Sequence, residues 1–597
     1  MATNISANQL LNNYTLFNAT DIKQFIIEQL KSNPESPFKD VDYLGSNINA
    51  LIDVIAVMLQ QIQFSYSLNT SEASFSNAML YESMSKIVSI LNYKSVGKQT
   101  AMLPVQISID ASKSTSSQFS GDIIIPKFLT LNYNKPYVLL ENQSATLFSG
   151  KGSYDTVFHQ GSIHESQVYI AAGDDFETFN LSDPYTNAGK ASFISDNFFT
   201  VYVDENGDGS WKEYKESACL FLENSLSEKY ERRFTEDFGY EFKFGNGTYA
   251  KKLNQGAKIV IYYLVSDGES AEMPSTPLLP NSISIYKSSL YNAIQDSIKI
   301  DNKDYDLSWF SAKNTGPTTP ISYPESVASI RKNAPKVFAS QNRLYSLNDY
   351  TVFIMKNFSN YCKHIYTCKN DEYISDYLKY YYDIGLTAPQ EDSRCALAQV
   401  EFMSSAHFNN IYSFIVPTTN TIIDGKVPNY LNTALKKQIV NKCSSLMGPT
   451  HNLVIMDPIH KAFCFGSLSL TDDKYKKYQV NNRIFITRNK NSQFDREYIK
   501  NYAVAALTTY FNSLRLGSTI SCMDVNGILS SIPGASGFYV QDVFNNKDSR
   551  LYFYIWNPLY QFEDNRIISQ NYICKNFEYP YFYDINNLEN IINVIDV

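Results

Sequence analysis

The sequence is poor in the residues that build metal centres and cross-links. Its 597 residues hold eight cysteines, at 219, 362, 368, 395, 443, 464, 522 and 574, and no two stand as Cys-x-x-Cys. Thiols this sparse suit a reducing compartment and exclude a disulfide framework. Histidine is scarcer still, with six at 159, 164, 364, 407, 451 and 460 and no metal-ligand spacing among them. His164-Glu165 opens like a zinc-protease motif, but the second histidine is missing. His364 lies between Cys362 and Cys368 without a fourth ligand nearby. Basic runs are lacking too. With 51 Lys and Arg against 60 Asp and Glu, the formal charge is −9. Nothing in it forms the cationic footprint that neutralises phosphates, so nucleic acid is not an expected partner. The short clusters 230–233 and 475–478 read as solvated faces. The amino-terminal residues carry no basic segment followed by an apolar run, so no signal peptide is expected. No apolar stretch reaches the ~18 residues of a membrane span. The richest, from Ala50 to Leu59, is broken by Asp53. Neither a Gly-x-Ser-x-Gly elbow nor a phosphate-binding glycine loop occurs. No catalytic residue, cofactor or metal is expected, and synthesis in a cytoplasm without membrane insertion is.

What is present describes a folded, contact-rich chain. Apolar residues make up 44% and charged ones 19%, which argues for buried cores rather than disorder. The length suggests roughly four domains. The 45 tyrosines and 37 phenylalanines suit strands and protein contacts. An AT-rich genome would enrich the same letters, so this alone decides nothing.

Periodicity predicts an α+β multidomain protein. The first hundred residues read as helices. Thr20 is placed to cap a short one carrying Ile22, Phe25, Ile26 and Leu30, ended by Pro34 and Pro37. A longer helix follows Gly45-Ser46. Its apolar positions Ile48, Leu51, Ile52, Ile55, Met58, Leu59, Ile62 and Tyr66 fall at steps of three and four. Ile48, Ile55 and Ile62 repeat every seven residues, as in a helix-bundle seam. A third helix carries Leu80, Met84, Ile87, Val88 and Leu91. Two readings of the seam stand: a cap folded on the same chain, or a stripe covered by another chain. From 101 to 287 the pattern turns to strands. Asn246-Gly247 reads as a hairpin turn, and Lys258 to Val265, apolar on both faces, reads as a central strand. Asp204-Glu205-Asn206-Gly207-Asp208-Gly209 matches the first half of a calcium loop. Position twelve is Lys215 instead of Glu, and the flanks read as strands, so a polar turn is expected.

Residues 288–322 are polar with Gly316-Pro317 and Pro320, and are expected to be a linker. A helix is predicted from Pro324-Glu325 to just before Pro335. The next starts at Ser346, where Asp349 can complete a capping box and Tyr345 and Tyr350 take the staple positions. The remainder mixes helices (429–446, 496–514) with strands (453–456, 537–543). The expected divisions are 1–100 helical, 101–287 β-rich, 288–322 linker, 323–465 α+β and 466–597 C-terminal α+β.

Several ordered stretches resemble one family. The first is Tyr43-Leu44-Gly45-Ser46-Asn47-Ile48-Asn49-Ala50-Leu51-Ile52-Asp53, with Leu91-Asn92-Tyr93 further on. The second is Phe244-Gly245-Asn246-Gly247, then Lys251-Lys252 and Ile261-Tyr262-Tyr263-Leu264-Val265; Asn246 stands where the family has an aspartate. The third is Ser329-Ile330-Arg331-Lys332-Asn333-Ala334-Pro335, then Gln341-Asn342-Arg343 and Asp349-Tyr350. A fainter fourth joins Leu516-Gly517 to Ile532-Pro533-Gly534. Together, over about residues 40–540, they resemble the baseplate wedge proteins of T-even-type phages, relatives of the baseplate protein J family of contractile tails. The resemblance implies a structural virion subunit rather than an enzyme. Such subunits pair with a second copy and join other wedge proteins through N-terminal helices. The wedges close into a ring around the hub, next to sheath-initiation proteins, and the ring rearranges on contraction. Arg331, Asn333, Pro335, Gln341, Arg343 and Asp349 are then either a ring interface or internal capping and ion pairing. The alternatives outside this class are a tail-associated glycan hydrolase and a receptor-binding module.

Overall fold

The computed structural model describes residues 18–32, 47–113, 120–133, 135–182, 191–235, 239–271, 282–298, 307–341, 343–373, 409–418, 430–467, 478–558 and 566–597. Pro34, Pro37, Asn342, Cys395, His407 and the stretches 43–46 and 475–477 lie outside them. The architecture is α+β and multidomain, with an N-terminal helical segment and a β-rich middle. The chain divides into two compact units. One comprises Met1–Ser95, Arg233–Glu236 and Ser326–Pro335, and the other takes the rest.

The first unit is built from helices α1 (Ala19–Ser32), α2 (Asn47–Glu72) and α3 (Tyr81–Ser89). Thr20 does not cap α1. It lies inside the helix, and the Asn18 side-chain oxygen accepts the Thr20 N–H at 3.2 Å. Asp21 in the first turn and Lys31 in the last complement the helix dipole. The link from α2 to α3 is short and tightly bonded. Leu80 precedes α3 and has no capping side chain. Glu72, in the last turn of α2, substitutes for one: its carboxylate accepts the N–H groups of Met79 at 2.9 Å and Leu80 at 3.1 Å.

In the second unit the strand Met102–Asp110 alternates as its sequence predicts, with Leu103, Val105, Ile107 and Ile109 turned into the core. It lies between Lys151–Gln160 and Phe310–Asn314 in a six-stranded antiparallel sheet, which Pro136–Val138, Leu129–Asn132 and Ser282–Ile285 complete. An eight-stranded sheet is nested in that sequence. Its strand Lys258–Ser266 is central, as its two apolar faces require. Phe193–Asp204 pairs on one side, Ser162–Glu165 and Tyr169–Ile170 on the other. The chain enters the nested sheet beside where it leaves, with Ser162 opposite Val265. At this neck Gly161 has positive φ, and a Cβ there would stand 2.3 Å from the Val265 carbonyl. Buried hydrogen bonds close the neck. Thr100 donates to the Gln160 carbonyl at 2.7 Å, Ser266 donates to the Gln160 amide oxygen at 2.9 Å, and the Gln160 amide donates to Asp267 at 2.7 Å.

Two sequence expectations fail here, the first because a few apolar residues in a polar stretch were enough to draw it into the core. The expected linker 288–322 contains helix α4 (Ser289–Ile298) and the strand Phe310–Asn314. Tyr291 and Ile294, three apart on one helical face, pack into an aromatic cluster with Phe128, Tyr202 and Tyr262. Phe310 and Ala312 alternate into the six-stranded core. The Asn246-Gly247 turn also makes no hairpin. Asn246 Oδ1 accepts the N–H groups of Thr248 and Tyr249, closing a compact loop, and Tyr240–Lys243 pairs instead with Thr178–Leu181.

The rest of the second unit is mixed. Helix α5 (Val327–Ser340) straddles the two units, and α6 (Leu347–Asn357) follows it. Helix α5 runs through Pro335 instead of stopping before it. A proline inside a helix removes one backbone bond; the helix continues to Ser340 all the same, with Ile330 and Ala334 buried in the turns before it. Helix α7 (Thr433–Ser444) packs with the strands Asn410–Pro417 and Asn452–Met456, and α8 (Arg496–Ser513) lies over the last large core. There Phe463, Phe465, Phe511, Phe553 and Phe582 stack within about 4–6 Å of one another.

Candidate assembly surface

The predicted seam lies on α2, which is 26 residues long and so about 39 Å. The face that α2 buries within its own unit is Asn49, Ile52 and Ala56. Of the expected seam residues, Ile52 is therefore internal and Ile48 half-buried. Leu51 (62% exposed), Ile55, Met58, Leu59 and Ile62 (61%) open to solvent. At about 3.6 residues per turn, these five form a stripe roughly a quarter-turn from the buried face. A second exposed stripe, Val54, Val57, Phe64 and Leu68, runs along the other side. The expected seam did not include it, although these residues also fall at steps of three, seven and four. Helix α2 is thus apolar on three sides, a composition seen in helices enclosed by a core or a bilayer. It is also long and apolar enough to cross a membrane by length and composition, which the reading of uninterrupted runs had excluded at Asp53. That residue is paired: Lys23 of α1 lies 2.6 Å from its carboxylate. The pair is solvent-exposed and contributes about 0–1 kcal/mol.

The second predicted cluster separates by position. Arg331, on α5, donates from Nε to the Phe75 carbonyl at 3.2 Å and from Nη2 to the Ala78 carbonyl at 2.7 Å. Both acceptors lie in the α2–α3 link, where Ala78 is fully buried. The same link engages Glu72, whose carboxyl is held below its ordinary range chiefly by the Met79 N–H. Asn333 donates to Ser329 one helical turn back at 3.0 Å. Pro335 is exposed within α5, and Gln341, at φ 52°, turns the chain after it. Arg343 is exposed and lines an open cleft with Lys336, Ser340, Asp349 and Phe353. Asp349 forms the capping box read from the sequence: its N–H donates to Ser346 Oγ at 3.2 Å, and its carboxylate accepts the Ser346 N–H at 2.9 Å. Tyr345 and Tyr350 both pack on His451, and Tyr350 is within hydrogen-bond distance of its Nδ1.

The motifs weighed for metal chemistry have other surroundings. Cys362 and Cys368 are buried, and desolvation pushes the Cys362 thiol well up. His164 Nε2 is 3.0 Å from Ser162 Oγ, and its ring stacks on Tyr263. No group of three His, Cys, Asp or Glu side chains among the described residues converges as a metal site. The cluster 230–233, expected as a solvated face, is instead buried at Tyr230, Glu231 and the Arg232 side chain. Arg232 is buried between Asp196 and Glu216, 3.0 Å from the latter, and lies over the rings of Phe199 and Tyr240. These partners keep the guanidinium charged inside the sheet despite desolvation.

No family model matches the chain. No curated protein matches it either. Among solved structures, it aligns with a chain of the anti-feeding prophage (AFP) baseplate, 6-fold symmetrised, at 9% identity and TM-score 0.26, covering 94% of this chain and 98% of that one. It also aligns with a chain of the type VI secretion system TssK-TssF-TssG baseplate subcomplex at 7% identity and TM-score 0.15, covering 69% and 96%. Both neighbours are chains of baseplate assemblies; scores this low establish no common fold, and the functional reading does not rest on them.

Proposed function

We propose that this chain is a structural subunit of a contractile-tail baseplate, of the wedge type, located in the virion and assembled in the host cytoplasm. It associates with a second copy and with other wedge proteins through its N-terminal helices, contributes to the ring around the hub, takes part in its rearrangement, and performs no catalysis. The observation that carries this reading is α2, exposed and apolar along two stripes. The ordered motif resemblance gives the class of partner.

Magnitudes indicate what kind of cover α2 needs. The five seam side chains are 39–62% exposed, so covering them yields about half of the full 1.5–3 kcal/mol each, or about 4–8 kcal/mol. Association costs about 4–15 kcal/mol in lost freedom. One helix on one stripe is therefore marginal, and a bundle that also covers Val54, Val57, Phe64 and Leu68 nearly doubles the gain. The length of α2 also admits a membrane-spanning reading. Insertion would place Asp53, Gln60, Gln61 and Gln63 in hydrocarbon, where a single aspartate costs about 2.5–3.5 kcal/mol. A helix bundle tolerates those residues at its margins.

The test is the triple variant Ile55→Glu, Met58→Glu and Ile62→Glu, at exposed positions that leave the buried face untouched. Co-expressed with the other baseplate proteins of its particle, the parent should co-purify with them and the variant should remain free with unchanged circular dichroism. If the variant co-purifies as the parent does, α2 is not the assembly surface. Flotation of the parent with lipid vesicles in place of partner capture would favour the membrane reading.

A further inference from the structure

The acidic loop between Phe193–Asp204 and Trp211–Ser217 holds a carboxylate whose burial the turn alone does not explain. Asp204 ends the first strand, opposite Trp211, and is 1% exposed. Its Oδ2 reaches across the loop to accept the Gly209 N–H at 2.9 Å, which fixes the carboxylate in the loop mouth. Its Oδ1 is buried with no hydrogen-bond partner. A buried carboxylate oxygen left unpartnered is costly, and a bound cation is one of the few groups that removes that cost.

The neighbouring chemistry supplies such a cation's other ligands. Asp204, Asn206 and Asp208 fall at positions one, three and five of the oxygen-donor pattern, and Gly209 takes the glycine position with φ 88°. Asn206 and Asp208 are exposed at the loop tip. The seventh position, here Ser210, contributes through its main-chain carbonyl in such loops. Glu205 is directed elsewhere, to Tyr214 at 2.7 Å and to Lys251. Two nearby cations are engaged as well, Lys251 with Glu205 and Lys212 with Glu228 at 3.1 Å, and a third, Lys258, stands opposite Asp204 on the neighbouring strand with its side chain exposed. A set of two carboxylates, one amide and one carbonyl, all oxygen, suits a hard cation with an adaptable shell and does not suit zinc.

We propose that the hairpin loop of residues 204–210 is a low-affinity calcium site, with Asp204, Asn206 and Asp208 as its side-chain ligands. The missing glutamate at position twelve, where Lys215 stands, sets the affinity rather than abolishing the site. With only two carboxylates and water completing the shell, dissociation constants fall in the weak range of about 10⁻⁴–10⁻³ M. Bound calcium would tie the Asp204 end of one strand to the start of the next and stiffen this corner of the eight-stranded sheet.

The experiment is calorimetric titration of the full chain with calcium chloride, paired with terbium luminescence sensitised by the adjacent Trp211. The parent should bind one calcium at sub-millimolar to millimolar concentration, and calcium should displace terbium. Magnesium, which demands a tighter octahedral shell, should not. Asp204→Asn keeps an oxygen for the Gly209 N–H, and Asp208→Asn, at an exposed position, keeps one for the Ser210 N–H, which Asp208 Oδ1 accepts at 2.8 Å. Each should weaken binding by about tenfold or more as ligand charge is lost. No saturable binding by the parent, or calcium affinity unchanged in folded Asp208→Asn, overturns the proposal.

Discussion

Replacing Arg331 by methionine distinguishes a structural clamp from an interface residue. The side chain makes two charge-assisted hydrogen bonds to the carbonyls of Phe75 and Ala78. Each such bond is worth about 1.5–3 kcal/mol when fully buried. Arg331 is only part-buried, so water replaces some of this on mutation, and a net loss of about 2–3 kcal/mol is expected. The loss is local to the α2–α3 link, which has four convenient reporters. The N–H groups of Asn77 and Ala78 bond to the Ser74 carbonyl, and those of Met79 and Leu80 to Glu72. At about 1.4 kcal/mol per tenfold, their amide hydrogen exchange should quicken by roughly 30- to 150-fold, while amides of the eight-stranded sheet hold their rates. Arg331→Lys, a point donor in place of a fork, should lie between. If exchange in the link is unchanged while partner binding is lost, the clamp assignment is wrong and Arg331 belongs to an interface.

Two further outcomes follow from buried charge and its absence. Arg232→Met would strand Asp196 and Glu216 inside the sheet and should cost about 3–5 kcal/mol, read as an earlier urea transition of the nested sheet; a loss below about 1 kcal/mol would mean that the triad is solvated. His460 is fully buried against Tyr430, neither ring nitrogen has a hydrogen-bond partner, and desolvation pulls its pKa down to about 4. The folded state therefore holds it neutral, and its contribution is present above the unfolded value of 6.5 and lost as pH falls towards 4. That loss amounts to about 3 kcal/mol. Desolvation pulls His159 and His364 down to about 4 as well, so His460→Phe should remove only its own share of the acid loss, about 3 kcal/mol, at little cost near neutrality; an acid loss as large as the parent's would overturn the assignment.

What could be read from the sequence was what adjacent letters encode. The steps of three and four from Ile48 to Ile62 gave helix α2, and Ser346 with Asp349 gave the capping box of α6. Lys258 to Val265, apolar on both faces, gave a central strand. Features that depend on distant partners were not legible. The carbonyls bonded by Arg331 are those of Phe75 and Ala78, more than 250 positions earlier. The three members of the Arg232 triad come from separate strands or their edges. Local signals also misled where packing outweighed them: Pro335 does not end its helix, and Tyr291 and Ile294 draw a polar stretch into the core. On α2 the spacing identified an apolar stripe but not which residues the chain keeps for itself. Ile52 is spent internally, and the stripe through Val54 and Phe64 escaped notice.

The neck at Gln160 and Ser266 bears on how chains of this architecture can vary in size. Because Ser162 and Val265 lie side by side, the hundred or so residues between them form an excursion that departs and returns through one doorway. Lengthening or shortening that excursion at its far end leaves the path of the parent sheet undisturbed, provided the Thr100–Gln160–Ser266 latch persists and Tyr202 and Tyr262 still cover Phe128, Tyr291 and Ile294. A graft that keeps Gly161 and Ser266 as its two ends leaves the latch bonds of Ser266 to Thr100 and Gln160 in place.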